Sequence, residues 1–214
     1  MSIQYTICLL LGIICGSIIT KKLHMPKPNK KTCSDIYIIL ALGIIIGAKI
    51  PIWLSYGLDS ALVLSNKSVM GALLGAFISI NIYKYFSHQK DKSYGGIFII
   101  PLAIAIGFGK IGCYLNGCCS GHFFIPVQLV ESSFQFIMAS AIYVIYKKTQ
   151  NISILFPAYM LAYLIMRFIV EFVRIEPKIW MNLTIYQILS LLFIPMFIYI
   201  LRSRYHVGTN KDFF

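Results

Sequence analysis

The sequence predicts an all-α integral membrane protein of seven transmembrane helices, with the N-terminus outside and the C-terminus in the cytoplasm. Three observations predict it. The 214 residues are 58% hydrophobic and only 12% charged, with a mean hydropathy of +0.79, whereas soluble domains carry about a quarter charged residues. Apolar runs recur at lengths close to the ~20 residues that cross ~30 Å of hydrocarbon. Most of the basic residues fall in alternate connections between those runs.

Taken in order, the spans are Ile3–Thr20, Ile36–Leu54, Val69–Phe86, Ile97–Leu115, Val127–Tyr146, Ile152–Val173 and Thr184–Leu201. Helices satisfy every backbone group within the segment, as hydrocarbon requires, and the strand alternation of a barrel is absent. The first run has no basic residues before it and no small-residue cleavage site, so a retained helix is expected rather than a cleaved signal peptide. Thirteen of the 19 basic residues lie on one side: Lys21, Lys22, Lys27, Lys30 and Lys31; Lys84, Lys90 and Lys92; Lys147 and Lys148; Arg202, Arg204 and Lys211. Lys67, Arg174 and Lys178 lie on the other. The positive-inside rule orients the chain accordingly. The net charge of +12 is therefore a topology signal, and no nucleic-acid partner is expected.

A single membrane domain over residues 1–214 is expected. Residues 21–35, "KKLHMPKPNKKTCSD", read as a basic cytoplasmic loop able to touch anionic lipids, and residues 203–214 as a flexible tail. "MGALLGAFIS" sets Gly71, Gly75 and Ser79 four residues apart, and "LGIIIGAK" holds Gly43 and Gly47. Such small-xxx-small faces let helices approach closely.

Five ionisable residues lie at membrane depth: Lys49, Lys110, Glu131, Arg167 and Glu171. Charges there are costly and face a cavity, a partner or a polar ligand. Arg167 and Glu171 are i,i+4 and share a helix face, with Tyr163 and Arg174 on the same stripe. A structural ion pair is one reading of them. The other is an anion site, because three cations meet only two carboxylates within the spans. Gln128 and Glu131 share a face at the start of the fifth span, where Pro126 suits the first turn and a carboxylate suits the helix N-terminus.

"GKIGCYLNGCCSG", Gly109–Gly121, holds Cys113, Cys118 and Cys119. Three thiols in seven residues suit zinc or disulfide exchange, but no second C-x-x-C and no ordered histidine pair accompanies them. His122 is the one nearby fourth ligand. Both readings stay open at this point: a thiol redox or metal site, or small residues packed near a helix end. No metal and no cofactor is expected.

These motifs together resemble the prolipoprotein diacylglyceryl transferase family. "GKIGCYLNGCCSG", "PVQLVE", "RFIVEFVR" and "TIYQILSL" are similar in order and spacing to that family's "GR-x-G-x-F-x-N-G", "HPSQLYE", "R-x-x-x-E-F-x-R" and "GQILS". "LGIIIGAKIPIWLSYG" and "SVMGALLGAF" resemble its "GARLGYVLFY" and "SFHGGLIGG". The resemblance runs from about Leu42 to Leu191. It implies a bacterial inner-membrane enzyme that moves the diacylglyceryl group of phosphatidylglycerol to the lipobox cysteine thiol of a preprolipoprotein, with release of glycerol phosphate. The implied partners are phosphatidylglycerol, the preprolipoprotein signal peptide or another acceptor, and the lipid bilayer. By the same resemblance, Arg167 holds phosphate or polarises the leaving group, Lys110 assists, and Glu171 orients Arg167. Asn116, Gly117, Gly121, Gln128, Glu131, Tyr163, Arg174 and Lys49 form the substrate-binding set, and Gln187 matches the "GQ" pair. The chain departs from the pattern at Met70, where the family has histidine, and at Lys110, where it has arginine. It departs again at Ile125, Cys113 and Cys118, and in a short segment between Gly121 and Pro126. His122 is a substitute base on this reading. A non-catalytic, redox or metal-binding membrane protein that keeps an anionic-lipid pocket is the alternative.

Overall fold

A computed structural model describes residues 3–22, 30–57, 63, 66–87, 95–118, 121 and 125–209. Among the described residues the named helices are α1 (Ile3–Lys22), α2 (Lys30–Gly47), α3 (Ile50–Tyr56), α4 (Val69–Phe86), α5 (Gly95–Leu115), α6 (Val127–Thr149), α7 (Leu155–Val170) and α8 (Ile185–Thr209). A 3₁₀ turn, Ile152–Ile154, precedes α7. Among the described residues, six helical segments are long and apolar enough to cross a membrane: Ser34–Tyr56, Val69–Phe86, Phe98–Leu115, Val127–Thr149, Ile152–Val170 and Ile185–Tyr205. The apolar part of α1, Ile3–Ile19, is shorter.

The chain divides into two compact units where one domain is expected. The first takes Met1–Pro26, Ser93–Ile175 and Ser190–Phe214, and the second takes Lys27–Lys92 and Glu176–Leu189. Other boundaries shift too. The basic segment 21–35 is helical at both described ends, because α1 runs to Lys22 and α2 starts at Lys30. The α8 helix continues to Thr209, into the segment expected as a tail.

The second span breaks at Ala48–Lys49. Pro51 lies at the start of α3. It has no N–H to give Gly47, four residues back, and its ring collides with that carbonyl, so one helix must end and another begin. The second unit is built around a close approach of α2 and α4, each through the small-residue face expected of it. A Cβ on Gly47 would lie 2.7 Å from the Gly75 Cα, and one on Gly43 would lie 2.7 Å from the Ser79 Cβ. Ser68 caps α4 by accepting from the Gly71 N–H at 3.1 Å.

In the first unit, α1 packs on α5 by the same device. A Cβ on Gly12 would meet the Ala105 Cα at 2.9 Å, and one on Gly16 the Pro101 carbonyl oxygen at 2.9 Å. The buried face of α6 repeats at helical spacing: Gln128, Glu131, Ser132, Gln135, Ala139, Ile142 and Tyr146. Its first half is polar and its second half is not. The Ser132 hydroxyl donates to the Gly107 carbonyl at 2.9 Å, and the Tyr159 hydroxyl donates to Gln135 Oε1 at 2.7 Å. These bonds set the register of α5, α6 and α7.

The link into α8 holds a feature the sequence did not predict. Lys178–Trp180 and Leu183–Thr184 pair as an antiparallel hairpin, β1 and β2. Met181 and Asn182 between them have φ of +49° and +59°, the left-handed pair of a tight hairpin turn. Thr184 and Gln187 then form a reciprocal cap on α8: the Thr184 N–H donates to Gln187 Oε1 at 3.0 Å, and the Gln187 N–H to Thr184 Oγ1 at 3.3 Å. This is a capping box.

Substituting Gly75→Val is expected to force α2 and α4 apart and to cost about 1–3 kcal/mol, the usual penalty of overpacking. A thermal melt of the purified protein in lipid nanodiscs checks it. A Cβ on Gly109 would meet only Leu9 Cδ1, at 3.9 Å, so Gly109→Ala is expected to leave the melting temperature unchanged or slightly raised.

Candidate functional site

The site lies within the first unit, where the end of α5, the start of α6 and the end of α7 meet. Its centre is Glu131, which is only 2% exposed. Lys110, in the last turns of α5, donates to Glu131 Oε2. From α7, Arg167 Nη1 donates to Glu131 Oε1 at 2.8 Å, and its Nη2 lies 3.0 Å from Glu171 Oε2. Arg167 is thus a fork with one prong on each carboxylate, a geometry that a planar guanidinium offers and a lysine does not. Arg174 Nη1 lies 3.6 Å from Glu131 Oε2, and its Nε lies 3.9 Å from Glu171 Oε2.

The chain reaches this arrangement through a tightened end of α7. The expected span runs to Val173, but the helix stops at Val170. Beyond it, the Phe172 N–H reaches back to Ile169 at 3.2 Å and the Val173 N–H to Val170 at 3.0 Å. These are three-residue steps, and they turn Arg174 back beside both carboxylates. The expected single stripe on one straight helix is therefore replaced by a helix end folded around its own charges. Tyr163 is buried one turn before Arg167 and stacks on Tyr159, ring centroids 6.0 Å apart.

The "GCYLNGC" stretch closes α5. Gly117 has φ +67°. Its N–H bonds to the Tyr114 carbonyl at 3.0 Å, and the Cys118 N–H bonds to the Cys113 carbonyl at 3.1 Å. This is the paired geometry of a Schellman cap, which wants glycine at the left-handed position. Asn116 is the exposed residue before it. Gln128 fastens the end of this cap to α6: its Nε2 donates to the Cys118 carbonyl at 2.7 Å. Gly121 pairs with Arg174 in an antiparallel bridge. A Cβ there would approach the Val173 carbonyl oxygen to 3.1 Å, so the close approach needs glycine.

The structure therefore brings Lys110, Glu131, Arg167, Glu171 and Arg174 into one cluster, with Gln128, Gly117 and Gly121 shaping the segment beside it. Lys49 belongs to the second unit. Its ammonium donates to the Val63 and Asn66 carbonyls at 2.6 and 2.9 Å. Gln187 acts as a cap. Met70 is buried near the start of α4 in the second unit. The Cys118 thiol donates to the Cys113 carbonyl at 3.5 Å. Among the described residues no group of three His, Cys, Asp or Glu could hold a metal ion. Cys119 and His122 lie outside the described residues. Sequence reasoning missed the Gln135–Tyr159 pair, although Gln135 is seven residues after Gln128 and on the same helical face.

Among the described residues, three cations meet two carboxylates in this buried cluster, one positive charge in excess. Charged groups buried within membrane-spanning helices face a partner or a polar ligand. Such a cluster is suited to a monoanionic ligand that brings oxygen acceptors.

Residues 2–202 match the family described as prolipoprotein diacylglyceryl transferase. The chain is also similar to named members. It is 26% identical over 182 residues to the phosphatidylglycerol–prolipoprotein diacylglyceryl transferase of Dehalococcoides mccartyi, covering 72% of this chain and 70% of the relative. It is 25% identical over 205 residues to that of Clostridium tetani, covering 81% of each. It is 27% identical over 210 residues to that of Helicobacter pylori, covering 78% and 74%. The chain belongs to the prolipoprotein diacylglyceryl transferase family.

Neutralising the hub without changing its shape, Glu131→Gln, leaves Lys110 and Arg167 buried without their shared counter-charge. The expected loss is about 3–5 kcal/mol, the range for breaking a buried ion pair from one side. Thermal melts compared with Gln128→Ala check it: that variant removes one hydrogen bond to the Cys118 carbonyl and costs about 1–3 kcal/mol.

Proposed function

We propose, with that family membership as premise, that the chain transfers the diacylglyceryl group of phosphatidylglycerol to the cysteine thiol of a preprolipoprotein in lipoprotein biosynthesis. The observation that carries the chemistry is the convergence of Lys110, Arg167 and Arg174 on two buried carboxylates, a surplus of one positive charge among the described residues. The phosphodiester of phosphatidylglycerol carries one negative charge, which balances that surplus. In the transfer, sulfur attacks a glycerol carbon, the C–O bond to phosphate breaks, and the electron pair leaves on the phosphate oxygen. The thiol proton is released. Negative charge therefore grows on the phosphate as the bond breaks, and preorganised cations lower the barrier most where charge develops. In this reading Arg167 and Lys110 take that charge, and Glu131 and Glu171 hold them in place. Gln128, Gly117 and Gly121 shape the segment over the cluster, with Asn116, Tyr163 and Arg174 at its margins.

The same proposal includes the topology. Helices α1, α4 and α6 end in Lys21 and Lys22, Lys84, and Lys147 and Lys148. These basic ends support a cytoplasmic placement of that side, with α1 as the seventh span, the N-terminus outside, and the protein in the bacterial cytoplasmic membrane. The charged cluster then lies toward the outer leaflet.

Purified protein in phosphatidylglycerol vesicles, given a synthetic lipobox peptide, is expected to yield the diacylglyceryl thioether peptide by mass spectrometry. Arg167→Lys keeps the charge and loses the fork. It is expected to lower the rate about 100- to 1,000-fold, the effect of losing one preorganised donor. Lys110→Arg is expected to retain activity. No thioether product from a well-folded protein, with any lipobox peptide, would overturn the proposed acceptor.

A further inference from the structure

We infer that the β1–β2 hairpin of the second unit is a membrane-interface anchor, whose tip beds in the headgroup layer of the bilayer. The hairpin exposes a run of apolar side chains: Ile179 at 46%, Trp180 at 64% and Met181 at 74%. Two-residue hairpin turns favour asparagine and glycine, so a methionine at the first turn position with a tryptophan before it is unusual. The position of the hairpin in the chain decides what covers it. Thr184 belongs both to β2 and to the cap of α8, so the hairpin starts within one turn of a helix that is apolar enough to span a membrane over Ile185–Tyr205. A two-stranded ribbon attached there stays at the level where hydrocarbon gives way to headgroups.

A second observation fixes the same level. Tyr56, the last residue of α3, donates its hydroxyl to Glu176 Oε2 at 3.2 Å. The base of the hairpin and the end of α3 are therefore tied together within the second unit. The last turns of α3 expose Trp53, Leu54 and Tyr56. Both tryptophans of the chain thus stand on elements joined at one end of this unit. Tryptophan and tyrosine concentrate at the membrane–water boundary, because one part of the ring system is apolar and the other donates to water or headgroups. Lys178, on β1 and exposed, sets an ammonium where lipid phosphates are. The occupant that fits an apolar tip, an indole and a lysine is the lipid interface. The anchor does not depend on the identity of the acceptor.

Trp53→Phe leaves Trp180 as the single tryptophan reporter in the full-length protein. In vesicles, lipids that carry a nitroxide quencher near the headgroup are expected to quench Trp180 more strongly than lipids carrying it deep in the acyl chain, and aqueous iodide is expected to quench it weakly. Strong iodide quenching with no effect of either lipid quencher would overturn the anchor. So would protection from iodide that arises only when a lipobox peptide is added, which would make the tip a docking surface for the acceptor. If Trp53→Phe does not fold, the difference in quenching between the wild-type protein and Trp180→Phe reads the same residue.

Discussion

One buried carboxylate organises the first unit. Glu131 on α6 takes Lys110 from α5 and Arg167 from α7, and Arg174 returns to it beyond the end of α7. No member of this set is stable in apolar surroundings alone, since each ion gives up several kcal/mol of hydration that only close opposite charges restore. The three helices must therefore arrive in register or not at all. This constraint explains why the start of the α6 buried face is polar while its later half is aliphatic. Ser132 and Gln135 bond to α5 and α7 just inside the cluster, and they fix the separation that the ion pairs need.

The elements around the cluster follow from the same demand for close, defined approach. Gly117 ends α5 in a left-handed cap, Gln128 ties down the Cys118 carbonyl, and Gly121 lets the chain lie against the backbone at Val173. Each residue has a local reason to be what it is. Together they carry the "NG" segment to the arginine–glutamate helix end, a contact between parts of the chain far apart in sequence.

How much of this the sequence discloses depends on how local each cause is. The helices are legible because hydrocarbon permits little else, and the packing faces of α2 and α4 are legible because Gly43 and Gly47, and Gly71 and Gly75, repeat at helical spacing, although their pairing with one another is not. The Arg167–Glu171 pair is legible by its i,i+4 spacing. The role of Glu131 as the hub is not, because its partners lie 21 and 36 residues away and nothing local distinguishes it from a carboxylate at a helix N-terminus. The break at Ala48–Lys49 could have been read from Pro51, but hydropathy runs through it without a change. The hairpin was hidden because Met181 and Asn182 take left-handed conformations without a glycine to announce them. Lys49 looked like a companion of Lys110, and its backbone-carbonyl partners show that an ammonium at a helix break has work of its own.

The charge balance of the cluster also bears on how the proposed reaction would turn over. A phosphodiester brings one negative charge and meets one surplus positive charge, so it enters without displacing Glu131 or Glu171 from Arg167. When the C–O bond breaks, the phosphate gains a second ionisable oxygen and carries about −1.5 to −2 near neutral pH, as phosphate monoesters do. The cluster can neutralise the first charge but not the second while both carboxylates stay ionised. The leaving group is then stabilised as its charge forms, and the part of the completed charge that the cluster does not balance is left to water and counterions. A fourth cation would bind the product more tightly and slow its departure. A third carboxylate would remove the surplus that draws the lipid in. The three-to-two ratio thus suits capture of a monoanion and stabilisation of the charge that develops on it.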